Sequence, residues 1–250
     1  MSTAGVIKFS EVLKTVSTHP SIKNGCLIDN SILFAASYPP DKYNQESEGL
    51  IDFLAELEIP IFTNVNIRSE FMNKQRQVMI PEGLSDLYTS ADAQPLTSIK
   101  AKLKSAYTSI SEARTSGKRY DFDENQIKSW RKLLRQQQAP NGDGWLRFCS
   151  SYLQGKIEAL WENTCHEFGI NFISLRNADE SELVVSDVRW EDVALIIGKF
   201  GIASSDAMII NLFLNTKLSA IITADEEIAY VIEQIKPPGK FVIVPDSLHL

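Results

Sequence analysis

The sequence predicts an α/β fold: a parallel sheet of about five short strands with helices on both faces, interrupted by a helical insertion. Three observations carry that expectation. Short apolar runs, "GCLID", "IPIFTN", "INFISL", "LSAIIT" and "KFVIVP", recur along the chain. Segments with helical spacing of apolar residues separate them. Gly and Pro fall where one element must stop and the next begin. Continuous rather than alternating apolar runs are what strands buried on both faces require, and that is the condition of a parallel sheet under helices.

The elements follow in order. "GCLID" (25–29) reads as strand one, and "SILFAASY" as a helix that ends before Pro39-Pro40. "SEGLIDFLAELE" places Leu50, Ile51, Phe53, Leu54 and Leu57 at helical spacing. "IPIFTN" is strand two, and "VNIRSEFMNKQ" starts the next helix. No convincing strand occurs from about Val78 to Gly144, where "PLTSIKAKLKSAYTSISEARTSG" and "DENQIKSWRKLLRQQQ" read as two helices and "APNGDG" as a loop. "WLRFCSSYLQGKIEALWENTCHEFG" reads as one long helix stopped by Gly169. Strand three is "INFISL". Two helices, "VRWEDVALIIGKF" and "SSDAMIINLFLNT", lead to strand four, "LSAIIT"; "DEEIAYVIEQI" is helical and "KFVIVP" is strand five. The expected division is therefore an α/β domain from 1–77 and 145–250 and an insertion at 78–144, whose apolar content looks thin for a core of its own.

At 250 residues and 44% apolar, the chain can bury a sizeable core. No run approaches the roughly 18 apolar residues of a membrane span, and "MSTAGVIKFSEVLK" carries Lys8 and Glu11 within its apolar part, unlike a secretory signal. Cys26, Cys149 and Cys165 are odd in number and form no CxxC pair, which favours reduced thiols and a cytoplasmic location. Cys165 and His166 are neighbours on a helix and point apart, so they read as packing residues.

The net charge of −7 hides an asymmetry. Thr97 to Gln138 holds ten basic residues against four acidic ones, a local +6, which leaves −13 on the remainder. Lys100, Lys102, Lys104, Lys118, Arg119, Lys128, Arg131, Lys132 and Arg135 are the candidates for gripping a nucleic-acid backbone. A solvated helical surface would carry the same residues. Tyr107, Tyr120 and Trp130 lie among them, as bases for stacking or, more commonly, as helix packing.

In an open α/β sheet, ligands bind beyond the carboxyl ends of the strands. Asp29 follows strand one and Asp225 follows strand four in "AIITAD". Glu70 lies one turn into the helix after strand two, and Asp206 opens the helix that leads to strand four. Each has a plainer explanation as a helix cap or a first-turn acid; Thr223 with Glu226 spells a capping box beside Asp225. Together, four acids at one sheet edge repel and raise each other's pKa unless protons or a cation relieve them. Hard divalent ions prefer oxygen donors of this kind.

At these residues, "IDNS", "RSEF", "SSDAMI" and "ITADEE", the chain resembles the PIN-domain nucleases, most specifically in "SDAMIINLFLNTKLSAIITADEE" and "CLIDNSILFAA". The resemblance covers roughly 25–75 and 150–245. It implies a metal-dependent endoribonuclease using Mg²⁺ or Mn²⁺ at Asp29, Glu70, Asp206 and Asp225, with Asn30, Ser31 and Thr223 supporting the carboxylates. It implies RNA, single-stranded or structured, as partner and no membrane, and leaves open an antitoxin-like protein inhibitor and a homodimer. The alternative is a catalytically inactive PIN-like protein that binds RNA or regulates. Neither GxGxxG nor GxxxxGK followed by Ser or Thr occurs.

Overall fold

The structure is a computed structural model that describes residues 5–90, 97–139, 142–174 and 182–248. Pro95 and Leu96 of the expected insertion helix, Pro140 and Asn141 of the loop, and Leu175 of the expected third strand lie outside these residues.

The chain divides into two compact units, 1–71 with 163–250, and 72–162. The first is an α/β unit. Its strands are β1 (Val6–Lys8), β2 (Cys26–Ile28), β3 (Ile61–Thr63), β6 (Ile170–Phe172), β7 (Ala220–Ile222) and β8 (Phe241–Val244). They form one sheet in the order β1-β8-β7-β2-β3-β6, every pair parallel, flanked by helices. The sheet has one strand more than the sequence suggested: "VIK" is a three-residue edge strand, too short to stand out from its surroundings.

β2, β7 and β8 are buried throughout, as apolar strands covered on both faces must be. Gly25 opens β2 with φ +117°, and a Cβ there would meet the Phe62 ring at 2.7 Å and the Pro60 carbonyl at 2.9 Å. Only glycine fits that entry. From β2 the chain builds outward through β3 to β6, then returns to place β7 on the other side of β2. The strand order therefore reverses between β2 and β7, which opens a crevice at their carboxyl ends.

Four helices matter for that crevice. α2 (Asn30–Ser37) follows β2, α4 (Val65–Thr89) follows β3, α10 (Ser204–Leu214) precedes β7, and α11 (Glu226–Ile235) follows it. The remaining helices of the unit include α1 (Val12–Thr18), α3 (Asn44–Glu56) and α9 (Trp190–Phe200). Lys240 fixes the far end of α10: its ammonium donates to the carbonyls of Phe213, Thr216 and Leu218, each at 2.8 Å. Phe213 is in the last turn of α10 and Thr216 and Leu218 follow it, a place where a cation is favoured.

The second unit is helical. α4 enters it at Met72; α5 (Thr97–Thr115), α6 (Glu124–Leu134) and α7 (Gly144–Tyr152) follow, and the chain leaves within α8 (Lys156–Glu167). A two-residue hairpin, β4 (Gln138–Ala139) with β5 (Gly142–Asp143), precedes α7. The unit runs beyond the expected 78–144 on both sides, and it does have a core: Ile80, Leu84, Ile99, Leu103, Phe122, Ile127, Leu134 and Phe148 are buried together. The apolar residues are few but fall on facing sides of four helices, which is why a simple count understated them. The expected long helix over 145–169 is two helices, α7 and α8, because Gly155 turns the chain at φ +75°.

α4 continues through Pro81. A proline has no N–H for the carbonyl four residues back, here Gln77. The Phe122 N–H donates to that carbonyl instead, at 3.0 Å, so the helix loses a bond without leaving a polar group unmet. Lys74–Asp121 (2.7 Å), Arg119–Asp121 (2.8 Å) and Arg76–Glu124 tie the same segment down.

Among the described residues no single helix is long and apolar enough to cross a membrane. Leu103→Ala is expected to destabilise the protein by about 3 kcal/mol, as a buried leucine in a real core should. Chemical denaturation checks this; a loss below about 1 kcal/mol would mean the side chain is not in a packed interior.

Candidate functional site

The site begins with a side chain in an unusual position. Asp29 ends β2 and caps α2, which is ordinary, but its side chain is only 3% exposed. A capping aspartate needs no burial, and burying a carboxylate is costly unless hydrogen bonds or charges compensate. Three hydrogen bonds do so, all to Oδ2: from the Ser31 hydroxyl (2.6 Å), the Ser31 N–H (3.2 Å) and the Thr223 hydroxyl (2.9 Å).

The supporting hydroxyls are themselves held. Ser31 Oγ accepts from the Ala224 N–H at 2.8 Å, and Thr223 Oγ1 accepts from the Asp225 N–H at 2.9 Å. The turn after β7 is thus stitched to the turn after β2, across the point where strand order reverses. Thr223 is committed to Asp29, so the expected Thr223–Glu226 box does not form. Asp225 caps α11 instead, its Oδ1 accepting from the N–H groups of Glu227 (2.7 Å) and Ile228 (3.3 Å). Among the described residues no hydrogen bond joins the Asn30 side chain to these acids, and its Oδ1 is buried without a partner.

Glu70 and Asp206 complete the set. Burial, then the field of Asp29, pushes the Glu70 carboxyl up to about 7, with Asp206 and Asp225 adding to it. Burial, then the fields of Asp225 and Asp29, pushes Asp206 up to about 6. The Asp29 carboxyl is also raised, by burial first, against the lowering effect of its bonds to Ser31 and Thr223. All four acids therefore lie within one another's electrostatic reach. Ser205, absent from the expected set, donates to Asp206 Oδ1 at 3.4 Å and opposes the rise of the Glu70 carboxyl; its position before the acid in "SSDA" was the available signal.

The chemistry of the donor set, four carboxylates in a shared field, suits a hard cation. The geometry is less complete: among the described residues, no three or more His, Cys, Asp or Glu side chains form a group that could hold a metal ion. The acids are gathered electrostatically and do not stand as a finished cage. Thiol chemistry is disfavoured, since burial pushes Cys26 up to about 12 and Cys165 up to about 11.

The basic candidates fall in the second unit. Lys128, Arg131, Lys132 and Arg135 are exposed on α6 and just beyond it, at the spacing of one helix face, and line a shallow depression of about 470 Å³ with Gln136. Arg135 also pairs with Asp143 at 3.2 Å. Lys100, Lys102, Lys104 and Lys118 are exposed elsewhere in the unit, while Arg119 is engaged with Asp121. Trp130 stacks on Phe122, Tyr120 meets Phe122 edge-on, and Tyr107 packs on Tyr88. Tyr107 thus joins α5 to α4, and Tyr120 and Trp130 pack the segment before α6.

Compared with known proteins, the chain matches no protein-family model, no curated protein and no solved structure.

A stability consequence follows from the raised acids. Glu70 and Asp206 bind protons more tightly folded than unfolded, where a carboxyl titrates near 4. Their contribution is fully present below about pH 4 and is lost as pH rises through 6 and 7. Glu70→Gln or Asp206→Asn should therefore stabilise the protein at pH 8 without divalent ions, by about 1 kcal/mol each after solvent screening, with the gain vanishing at pH 4. Thermal melts at the two pH values check this; equal or lower stability of both variants at pH 8 contradicts the shared field.

Proposed function

We propose that the acidic edge is the hydrolytic centre of a PIN-like, metal-dependent endoribonuclease. The observation that carries this reading is the buried Asp29 carboxylate, held on one oxygen and sharing its field with Glu70, Asp206 and Asp225 where strand order reverses. A fold gains nothing from keeping four repelling acids together; a hydrolytic site does. Asp29, Asp206 and Asp225, with Glu70 as the fourth carboxylate, would hold Mg²⁺ or Mn²⁺. Such an ion supplies a bound water of lowered pKa and screens charge on a phosphodiester.

The remaining work belongs to the chain itself. Ser31 and Thr223 hold Asp29 Oδ2 and so fix the orientation of the carboxylate. The Glu227 and Ile228 N–H groups do the same for Asp225. Glu70, with its carboxyl pushed up to about 7, suits a group that takes up or gives up a proton near neutral pH. The basic face of α6 is read as a separate surface for the RNA backbone.

A second reading has one observation in its favour. Because the acids do not form a finished cage, a PIN-like protein that binds RNA without cleaving it fits as well. Cleavage of labelled single-stranded RNA in Mn²⁺ or Mg²⁺, with an EDTA control, separates the two. Asp29→Asn and Asp206→Asn are each expected to reduce Mn²⁺-dependent cleavage at least 100-fold while circular dichroism stays native. Undiminished cleavage by both variants would remove the acids from the reaction, and no cleavage by the unaltered protein would favour the second reading.

For the basic face, the triple variant Lys128→Ala, Arg131→Ala and Lys132→Ala is expected to weaken RNA binding about ten-fold. The slope of log K against log salt should fall by about 2, as for three phosphate contacts on a single strand. An unchanged slope would place the RNA elsewhere.

A further inference from the structure

The carboxyl edge carries a second feature, over the other half of the sheet. Beyond the ends of β3 and β6 lies a cavity of about 710 Å³, lined entirely by residues of the α/β unit. This is the size of a small-molecule site. Apolar side chains such as Ile173 and Met208 form part of its wall. Arg68 and Arg189 line it as well; Arg189 also donates from Nε and Nη2 to the Asp192 carboxylate, each at 3.2 Å, a pair that a phosphate would share.

Two side chains mark it as more than a packing defect. Trp190 lines the cavity yet is 59% exposed. A large ring left in solvent at the rim of a hollow has surface to offer a flat ligand. The loop that presents it is fixed, because the buried Asn211 donates from Nδ2 to the Arg189 carbonyl at 3.1 Å.

The second is Asn64, only 2% exposed. Its Oδ1 accepts from the N–H groups of Asn66 (2.9 Å) and Ile67 (3.0 Å), starting α4. Those bonds settle which end of the amide is which. They leave Nδ2 a buried donor with no partner among the described residues, on a side chain that lines the cavity. Buried amide donors are seldom left unmet unless something else fills the role.

We propose that this cavity binds a nucleotide, its base stacked on Trp190 and offering an acceptor atom to Asn64 Nδ2, its phosphate beside Arg68 and Arg189. A hollow of this size admits one base and excludes a duplex. Where the nucleotide belongs to an RNA strand, which rests on the nuclease reading above, that base is unpaired. The cavity and the acids share two helices without sharing a face: Arg68 and Glu70 are two apart on α4, as are Asp206 and Met208 on α10, and such positions point in different directions. The site therefore holds a nucleotide next to the acidic edge and outside it.

Isothermal titration calorimetry in EDTA, with the four nucleoside 5′-monophosphates and ribose 5-phosphate as probes, tests this without any cleavage. At least one nucleotide is expected to bind at a single site with sub-millimolar Kd, and ribose 5-phosphate at least ten-fold more weakly. Trp190→Ala should weaken the nucleotide at least ten-fold, the scale of one base–aromatic stack. Asn64→Asp keeps an acceptor for α4 and removes the donor, and should weaken it at least five-fold. Tyr230→Ala, at an exposed ring on α11, should leave Kd within two-fold. The proposal fails if no nucleotide binds, if ribose 5-phosphate binds as tightly as the nucleotides, or if Trp190→Ala and Asn64→Asp both bind like the unaltered protein. Should Asn64→Asp not fold, Trp190→Ala decides alone. RNA cleavage with an unaffected Trp190→Ala would sink the cavity and spare the nuclease; nucleotide binding without cleavage would do the reverse.

Discussion

One buried carboxylate organises the α/β unit. Asp29 stands at the buried end of a strand with both faces covered, where burial raises its carboxyl and Ser31 and Thr223 oppose that rise with three hydrogen bonds on a single oxygen. Those bonds have a second effect. They join the turn after β2 to the turn after β7, two paired neighbours at which the strand order reverses. Removing the charge would release two hydroxyls, each of which also accepts a backbone N–H. The polar network and the topology are one device seen from two sides.

The other acids make sense only against that fixed point. Neither Glu70 nor Asp206 caps a helix or pairs with a cation in the described structure. Both are half-buried, and both are pushed toward protonation by burial and by neighbouring carboxylates. A charge arrangement that weakens the fold at neutral pH is the mark of a site shaped by something other than stability. The basic surface is elsewhere. It sits in a separate unit with its own core, where α6 turns its apolar side inward and four cations outward.

How far the sequence reveals this depends on the range of the interactions. β2, β7 and β8 are continuous apolar runs between breakers, so their burial is written locally. Asp29 and Asp225 stand directly after such runs, and a parallel sheet brings those ends to one edge. Ser31 was readable for the same reason. What was hidden depended on contacts distant in sequence. Thr223 looks like a cap partner for Glu226 until Asp29, 194 positions away, takes its hydroxyl. The core of the second unit draws on residues from Ile80 to Phe148, too dispersed for a composition count. The cavity residues Asn64, Arg68, Arg189 and Trp190 come from two separate loops and helix starts; only the exposed tryptophan in "VRW" carried a local hint.

The proline within α4 has a temporal consequence. The carbonyl of Gln77 is met by an N–H 45 residues further along, at Phe122. During synthesis, the ribosome releases Pro81 well before it releases Phe122. For that interval the nascent helix carries an unanswered carbonyl at the proline and is free to bend there. The hydrogen bond that satisfies α4 at Pro81 is thus acquired late, when the segment ahead of α6 arrives. A chain that stalls between the two positions would carry an open carbonyl where the finished protein has a closed bond.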